Sequence, residues 1–79
     1  MKIEIRLFAS LARFMPDKSI KKPYTMEIQE GTTIIDVFKS MEVPEDAVKL
    51  IFLNGIHATG DRVLKDGDQL GVFPPLGGG

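Results

Sequence analysis

Ile3, Ile5 and Leu7 alternate with Lys2, Glu4 and Arg6, and a period of two with polar partners predicts a half-buried strand. Ser10 precedes Leu11, Phe14 and Met15, whose spacing predicts one or two helical turns that Pro16 ends. Residues 16–23 carry two prolines and four lysines or aspartates, which predicts an exposed loop. Tyr24, Met26 and Ile28 alternate with Thr25, Glu27 and Gln29 as a second strand. After Glu30-Gly31, Thr32 or Thr33 can cap a helix, with Asp36 three residues beyond Thr33 as in a capping box. Ile34, Val37, Phe38 and Met41 fall at i, i+3, i+4 and i+7, the clearest amphipathic helix in the chain. Val43-Pro44 is expected to stop it, because a residue before proline avoids the α region. A short turn over residues 44–48 comes next, and Lys49 to Leu53 reads as a buried strand. Asn54-Gly55 then predicts a type I′ hairpin into a short return strand over Ile56 to Ala58. Asp66-Gly67-Asp68 is a tight turn before a last strand, Gln69 to Phe73.

One helix cannot cover both faces of a sheet, so these elements predict an α+β fold, with a mixed sheet of four to five strands packed on one main helix. The first and last strands would lie side by side at its centre, where both are buried. In the last strand Leu70 and Val72 share one face, and Gly71 and Phe73 share the other. Leu70 and Val72 belong to the core. Phe73 then stands on the open face of the sheet, where an aromatic suits contact with a partner protein.

Pro74-Pro75 has no backbone N–H to donate, so sheet pairing must end there. The pair favours extended polyproline geometry and projects the next residues away from the body. Leu76, Gly77, Gly78 and Gly79 complete the sequence. Three residues without side chains can thread a channel too narrow for any Cβ, and they leave a terminal carboxylate open to a nucleophile or an ATP phosphate. A bare carboxylate is a poor acyl donor, so an activating enzyme must first give it a better leaving group. A run of glycines alone would more often be a frayed end. A rigid spacer joined directly to a core strand favours a functional tail.

Composition narrows the chemistry. A chain of 79 residues forms at most one domain, and a domain this size buries only about 60% of its unfolded surface, too little for a deep interlobe pocket. Apolar residues make up 43% and charged residues 27%, the balance of an ordinary globular domain. A net charge of −1 gives no strong pull toward nucleic acid or an anionic membrane. The absence of cysteine excludes disulfides, a thiolate nucleophile and a cysteine zinc site. No apolar run approaches the length of a membrane span, and the expected location is the cytoplasm. His57, the lone histidine, has no second soft ligand and reads as a surface residue. Asp61, Asp66 and Asp68 lack calcium-loop spacing and read as turn and capping residues. Glu42, Glu45 and Asp46 read as solvated surface, and Lys18, Lys21 and Lys22 as a solvated loop without the interleaved aromatics that stack on bases. Ser10, Ser19 and Ser40 have no nucleophile motif.

Phe73-Pro74-Pro75-Leu76-Gly77-Gly78-Gly79 resembles the terminal Phe-Pro-Pro-x-x-Gly-Gly of the MoaD family, the small subunits of molybdopterin synthase. Leu7-Phe8-Ala9-Ser10-Leu11 is similar to that family's opening strand and turn. Asn54-Gly55 and Asp66-Gly67-Asp68 stand where MoaD and ThiS proteins carry similar turns. One departure is that Ala12 fills a place where the family often has Arg, and Arg13 follows. The resemblance implies a β-grasp (ubiquitin-like) domain over residues 1–73 and an extended, flexible tail over residues 74–79. It implies that an adenylating enzyme of the MoeB or ThiF type activates the Gly79 carboxylate, and that sulfur transfer then yields a thiocarboxylate. That sulfur would pass to a pterin precursor in a MoaE-like large subunit. Gly79 is then the reacting residue, Gly78, Gly77, Leu76, Pro75 and Pro74 form the tail, and Phe73 and Phe8 bind partners. The chain itself would be a non-catalytic carrier that binds no cofactor and no metal, with ATP and Mg²⁺ held by the activating partner.

Three other functions compete. A ThiS-like sulfur carrier for thiamin thiazole synthesis ranks second, because ThiS tails usually lack the Phe-Pro-Pro segment. A protein modifier would use Gly79 to form isopeptide bonds. A non-covalent β-grasp binding module would need only the Phe73 face.

Overall fold

The computed structural model of the chain describes residues 1–16 and 23–75. Alternation places Ile3, Ile5 and Leu7 on one face of β1 (Lys2–Leu7), and all three are buried. β1 pairs antiparallel with β2 (Tyr24–Glu27) on one side and parallel with β5 (Gln69–Phe73) on the other. β5 in turn pairs antiparallel with β3 (Leu50–Leu53), which forms a hairpin with β4 (Ile56–His57). The sheet is therefore mixed and five-stranded, in the order β2-β1-β5-β3-β4, with the first and last strands adjacent as expected.

Among the described residues a single α-helix, α1 (Ile34–Ser40), packs on one face. Its Ile34, Val37 and Phe38 join Ile3, Ile5, Leu7, Leu70 and Val72 in one core, together with Leu11, Met15 and Leu64. Thr33 is the N-cap: its hydroxyl accepts from the Asp36 N–H at 3.2 Å, and the Asp36 carboxylate accepts from the Thr33 N–H at 3.0 Å. The Thr33 backbone donor holds the Asp36 carboxyl below the usual carboxylate range, with the Thr33 hydroxyl adding to it. Thr32 is instead a turn residue, its hydroxyl donating to the Gln29 carbonyl at 2.7 Å.

The far end of α1 differs from the expectation that Val43-Pro44 stops it. The helix ends earlier, at Ser40, through a left-handed residue, Glu42, with φ of 61°. The Val43 N–H reaches back to the Phe38 carbonyl at 2.9 Å and the Glu42 N–H to Lys39 at 3.2 Å, a Schellman motif. Glycine normally fills that position, because a Cβ there is strained by about 1–2 kcal/mol. Glu42→Gly should therefore stabilise the fold by about 0.5–1 kcal/mol, the strain relief exceeding the added freedom of the unfolded chain. A urea titration reads this as a higher midpoint at unchanged slope; a lower midpoint would mean the glutamate stabilises the cap by other contacts.

Three further elements differ in detail. The segment after β1 is a 3-10 helix, Ala9–Phe14, entered through Phe8 and a positive φ of 53° at Ala9. β2 ends at Glu27, although the Ile28 N–H still bonds to the Met1 carbonyl. β4 has only two residues, although the Ala58 N–H still bonds to the Ile51 carbonyl at 2.9 Å and Ala58 is buried. The Asn54-Gly55 turn is as expected, with positive φ at both residues. The predicted loop over residues 16–23, with Lys18, Ser19, Lys21 and Lys22, lies largely outside the described residues.

The turn before β5 locks that strand onto its neighbours. Asp66 Oδ1 accepts from the Lys2 N–H at 2.7 Å, and the Gly67 N–H donates to the Lys2 carbonyl at 2.7 Å. Asp68, buried, accepts from the Lys65 N–H and from Asn54 Nδ2, while Asn54 Oδ1 accepts from the Gln69 N–H. These bonds give Asp66 and Asp68 the turn and capping roles read from sequence. They also set the register of β1, β3 and β5, which positions the open face of the sheet.

Candidate functional site

The face of the sheet opposite α1 is assembled by that register. Leu7 pairs with Val72, so the next residues, Phe8 and Phe73, stand side by side on the open face. Neighbouring strands lie about 4.8 Å apart, which suits ring stacking, and the two rings are parallel within 4° with centroids 4.4 Å apart. Phe8 holds this place because it remains extended beyond β1, its N–H bonded to the Val72 carbonyl at 3.0 Å. Ala9 then turns the chain away.

β3 brings a third ring. Phe52 pairs with Gly71 and so lies diagonal to Phe73, whose ring it meets edge-on at 5.8 Å. His57 pairs directly with Phe52 and meets it edge-on at 6.0 Å. Edge-to-face geometry sets the positive rim of one ring against the negative face of the other. Leu50 pairs with Phe73 and is 37% exposed. The result is an apolar cluster of Phe8, Leu50, Phe52 and Phe73 at the end of β5, where the chain passes into Pro74.

Phe73, expected on this face, and Phe8, expected to bind partners, are thus in mutual contact. Phe52, Leu50 and His57 were not foreseen there. Lys49 to Leu53 reads as a buried strand, but of its residues only Leu53 is buried. A continuous apolar run hides its own alternation, and only the pairing with β5 shows that Phe52 shares a face with Phe73. Arg13, after Ala12, lies with its guanidinium 5.0 Å over the Phe14 ring. Pairing in β5 ends at Phe73; Pro74 and Pro75 come next without regular structure, and Leu76, Gly77, Gly78 and Gly79 lie outside the described residues. Among the described residues no cluster of three His, Asp or Glu side chains could hold a metal ion, and no helix is long and apolar enough to cross a membrane.

Phe73→Ala removes both the stack with Phe8 and the edge contact with Phe52. If this cluster docks a partner, the substitution should weaken that binding by about 2 kcal/mol or more, as truncation of a central interface aromatic does. Calorimetry against the activating enzyme measures it; unchanged affinity would remove Phe73 from the site.

A mixed five-stranded sheet crossed on one face by a helix is the ubiquitin-like β-grasp fold. Residues 1–76 match the family described as Mut7-C ubiquitin, and the chain belongs to that family. It is 31% identical, over 96 aligned positions spanning both chains completely, to small archaeal modifier protein 3 of Haloferax volcanii. Among solved structures it resembles the protein assigned as molybdopterin converting factor, subunit 1, from Pyrococcus furiosus, with a TM-score of 0.71 and 26% identity over 95% of this chain and 98% of that one. It also shares its fold, with a TM-score of 0.61 and 22% identity over both full chains, with a chain in the complex of subunits 1 and 2 of the molybdopterin-converting factor from Helicobacter pylori 26695.

Proposed function

We propose that this chain is a sulfur carrier whose Gly79 carboxylate is adenylated and converted to a thiocarboxylate, for use in the biosynthesis of molybdopterin and hence of a molybdenum or tungsten cofactor. The observation that carries the reading is the aromatic cluster at the foot of the Phe73-Pro74-Pro75 segment. It gives a partner an apolar hold on the body next to the point where the tail departs. The likeness to a molybdopterin converting factor subunit supports it.

In this reading the carboxylate oxygen of Gly79 attacks the α-phosphorus of ATP, and pyrophosphate leaves. Hydrosulfide then attacks the acyl carbon and AMP leaves with the oxygen, giving the thiocarboxylate directly. A persulfide donor would give an acyl disulfide, from which a second thiol releases the thiocarboxylate by taking the donor's sulfur into a new disulfide. ATP, Mg²⁺ and the catalytic groups belong to an adenylating enzyme of the MoeB or ThiF type, and a MoaE-like large subunit receives the sulfur. The chain is a co-substrate rather than an enzyme, and it works in the cytoplasm.

A second reading shares the activation and differs in the final nucleophile. The 31% identity to a protein named as a small archaeal modifier favours attack by a lysine amine of another protein, giving an isopeptide bond. The two are separated by one pair of measurements. Incubation with the activating enzyme, Mg-ATP and a sulfur donor, followed by intact mass, should show one oxygen of Gly79 replaced by sulfur; an unchanged mass with the cognate enzyme overturns the carrier. Immunoblots of cell lysate should show a single band for a carrier and a ladder of larger species for a modifier.

A further inference from the structure

The hairpin turn alone does not explain the asparagine at position 54. Asn54 and Gly55 have positive φ, 53° and 82°, but Asp-Gly fills such a turn as well as Asn-Gly does. The Asn54 side chain is called for by what it touches. Its Oδ1 accepts from the Gln69 N–H at 2.9 Å, and its Nδ2 donates to Asp68 Oδ1 at 2.9 Å. Asp68 is buried, and its other oxygen accepts from the Lys65 N–H at 2.7 Å. The amide is therefore bonded at both ends and ties the β3-β4 hairpin to the start of β5. A carboxylate in its place would set oxygen against oxygen at the Asp68 contact. Yet asparagine followed by glycine is the pair in which that replacement happens most readily, because no Cβ hinders approach of the next backbone nitrogen, and both residues are exposed here.

We propose that Asn54 is a spontaneous deamidation site, held in check by its bonds to Asp68 and Gln69, and that its conversion unlocks β3 from β5. The Gly55 nitrogen loses its proton to water and attacks Asn54 Cγ, and the side-chain nitrogen leaves as ammonia. Water then opens the cyclic imide at either carbonyl, giving aspartate or isoaspartate. The net change is one water consumed and one ammonia released, with no oxidant or co-reactant. Ring closure turns Cγ onto the Gly55 nitrogen and expels Nδ2, so it breaks both side-chain bonds and proceeds from a locally opened turn. Aspartate leaves two carboxylates facing each other beside a buried position, and isoaspartate adds a backbone carbon to a two-residue turn. The change falls at the Gln69 end of β5, opposite the end that leads into Pro74. It limits the lifetime of the folded body and leaves the terminal carboxylate as it was.

The experiment incubates the full chain at constant temperature and mildly basic pH, folded or unfolded in urea. Peptide mass mapping reads conversion at Asn54, with enzymatic detection of isoaspartate. The unfolded chain should convert, and the folded chain roughly 30-fold more slowly, the scale of two hydrogen bonds in the opening equilibrium. Asp68→Ala removes one of them and should speed conversion of folded protein by roughly fivefold. Should that variant fail to fold, hydrogen exchange of the Gln69 N–H in the wild-type chain reads the same opening, and an unprotected Gln69 N–H overturns the inference. Asn54→Asp should lower the folding equilibrium constant roughly 10-fold to 100-fold in a urea titration. Asn54→Asp combined with Asp68→Asn exchanges donor and acceptor. The new amide then offers its oxygen to the Lys65 N–H and its nitrogen to the new carboxylate, and the pair should return to within about fivefold of wild type. Equal conversion in folded and unfolded chain, or wild-type stability of Asn54→Asp, overturns the inference, as does an unfolded chain that does not convert at Asn54. No readout involves a partner, so the outcome is separate from that of the proposed function.

Discussion

Deletion of Gly78 and Gly79 should abolish transfer from the chain and leave its fold unchanged. No residue of the described core lies beyond Val72, so the shortened chain keeps every buried side chain. It also still ends in glycine, at Gly77, so the chemistry of the terminal carboxylate is the same. What changes is reach. Two residues of extended chain span about 7 Å, and an anchored body cannot advance by that distance to compensate. A displacement of even about 1 Å can cost a hundredfold at a reacting centre. AMP formation with the activating enzyme should therefore fall at least about a thousandfold. Affinity should change far less, because the aromatic cluster is intact, and the thermal midpoint should be unchanged. Retained biological function in the deletion variant would instead mean that the body binds its partner without any covalent step.

Much of the body is legible in the sequence. Ile3, Ile5 and Leu7, and Leu70 and Val72, declare their buried face by alternation, and Thr33 and Asp36 declare the start of the helix. Asn54-Gly55 declares the hairpin because few other pairs accept positive φ twice. The parts that were not legible depend on contacts distant in sequence. Phe52 sits in an apolar run, and nothing local distinguishes it from Ile51. Its place on the open face follows only from its pairing with Gly71. The same holds for His57, whose environment is set by Phe52 across the hairpin. Glu42 carries no sign of its left-handed backbone, since glycine is the usual marker of a Schellman turn. Phe8 lies just past the alternating pattern, and its stack on Phe73 needs the parallel register that the Asp66-Gly67-Asp68 turn helps to lock. Of the candidate site, the place of Phe73 on the open face was visible from sequence, and its neighbouring walls only from the sheet.

The two faces of the sheet should respond oppositely to loss of an aromatic ring, and Phe38→Ala tests the buried side. Phe38 is 1% exposed and among the largest fully buried side chains, the point at which α1 is held against the sheet. Truncation of a buried phenylalanine costs about 3–5 kcal/mol, through lost transfer energy and the cavity left behind. A domain of this size has a total stability of only about 4–12 kcal/mol. The variant should therefore unfold at far lower urea and populate the unfolded state measurably near 37 °C. The Val43 N–H can still reach the Phe38 carbonyl, because that bond is made by backbone atoms, so the loss is one of packing rather than of the helix cap. Any loss of partner binding should track the unfolded fraction and disappear when folded protein alone is counted. Phe73→Ala should show the reverse, a large loss of affinity with a small change in urea midpoint, since Phe73 is only half-buried and lies off the core. A Phe38→Ala chain that lost less than about 1.5 kcal/mol would mean that α1 closes over the vacated space, and that the helix, rather than the sheet, is the adaptable layer of the fold.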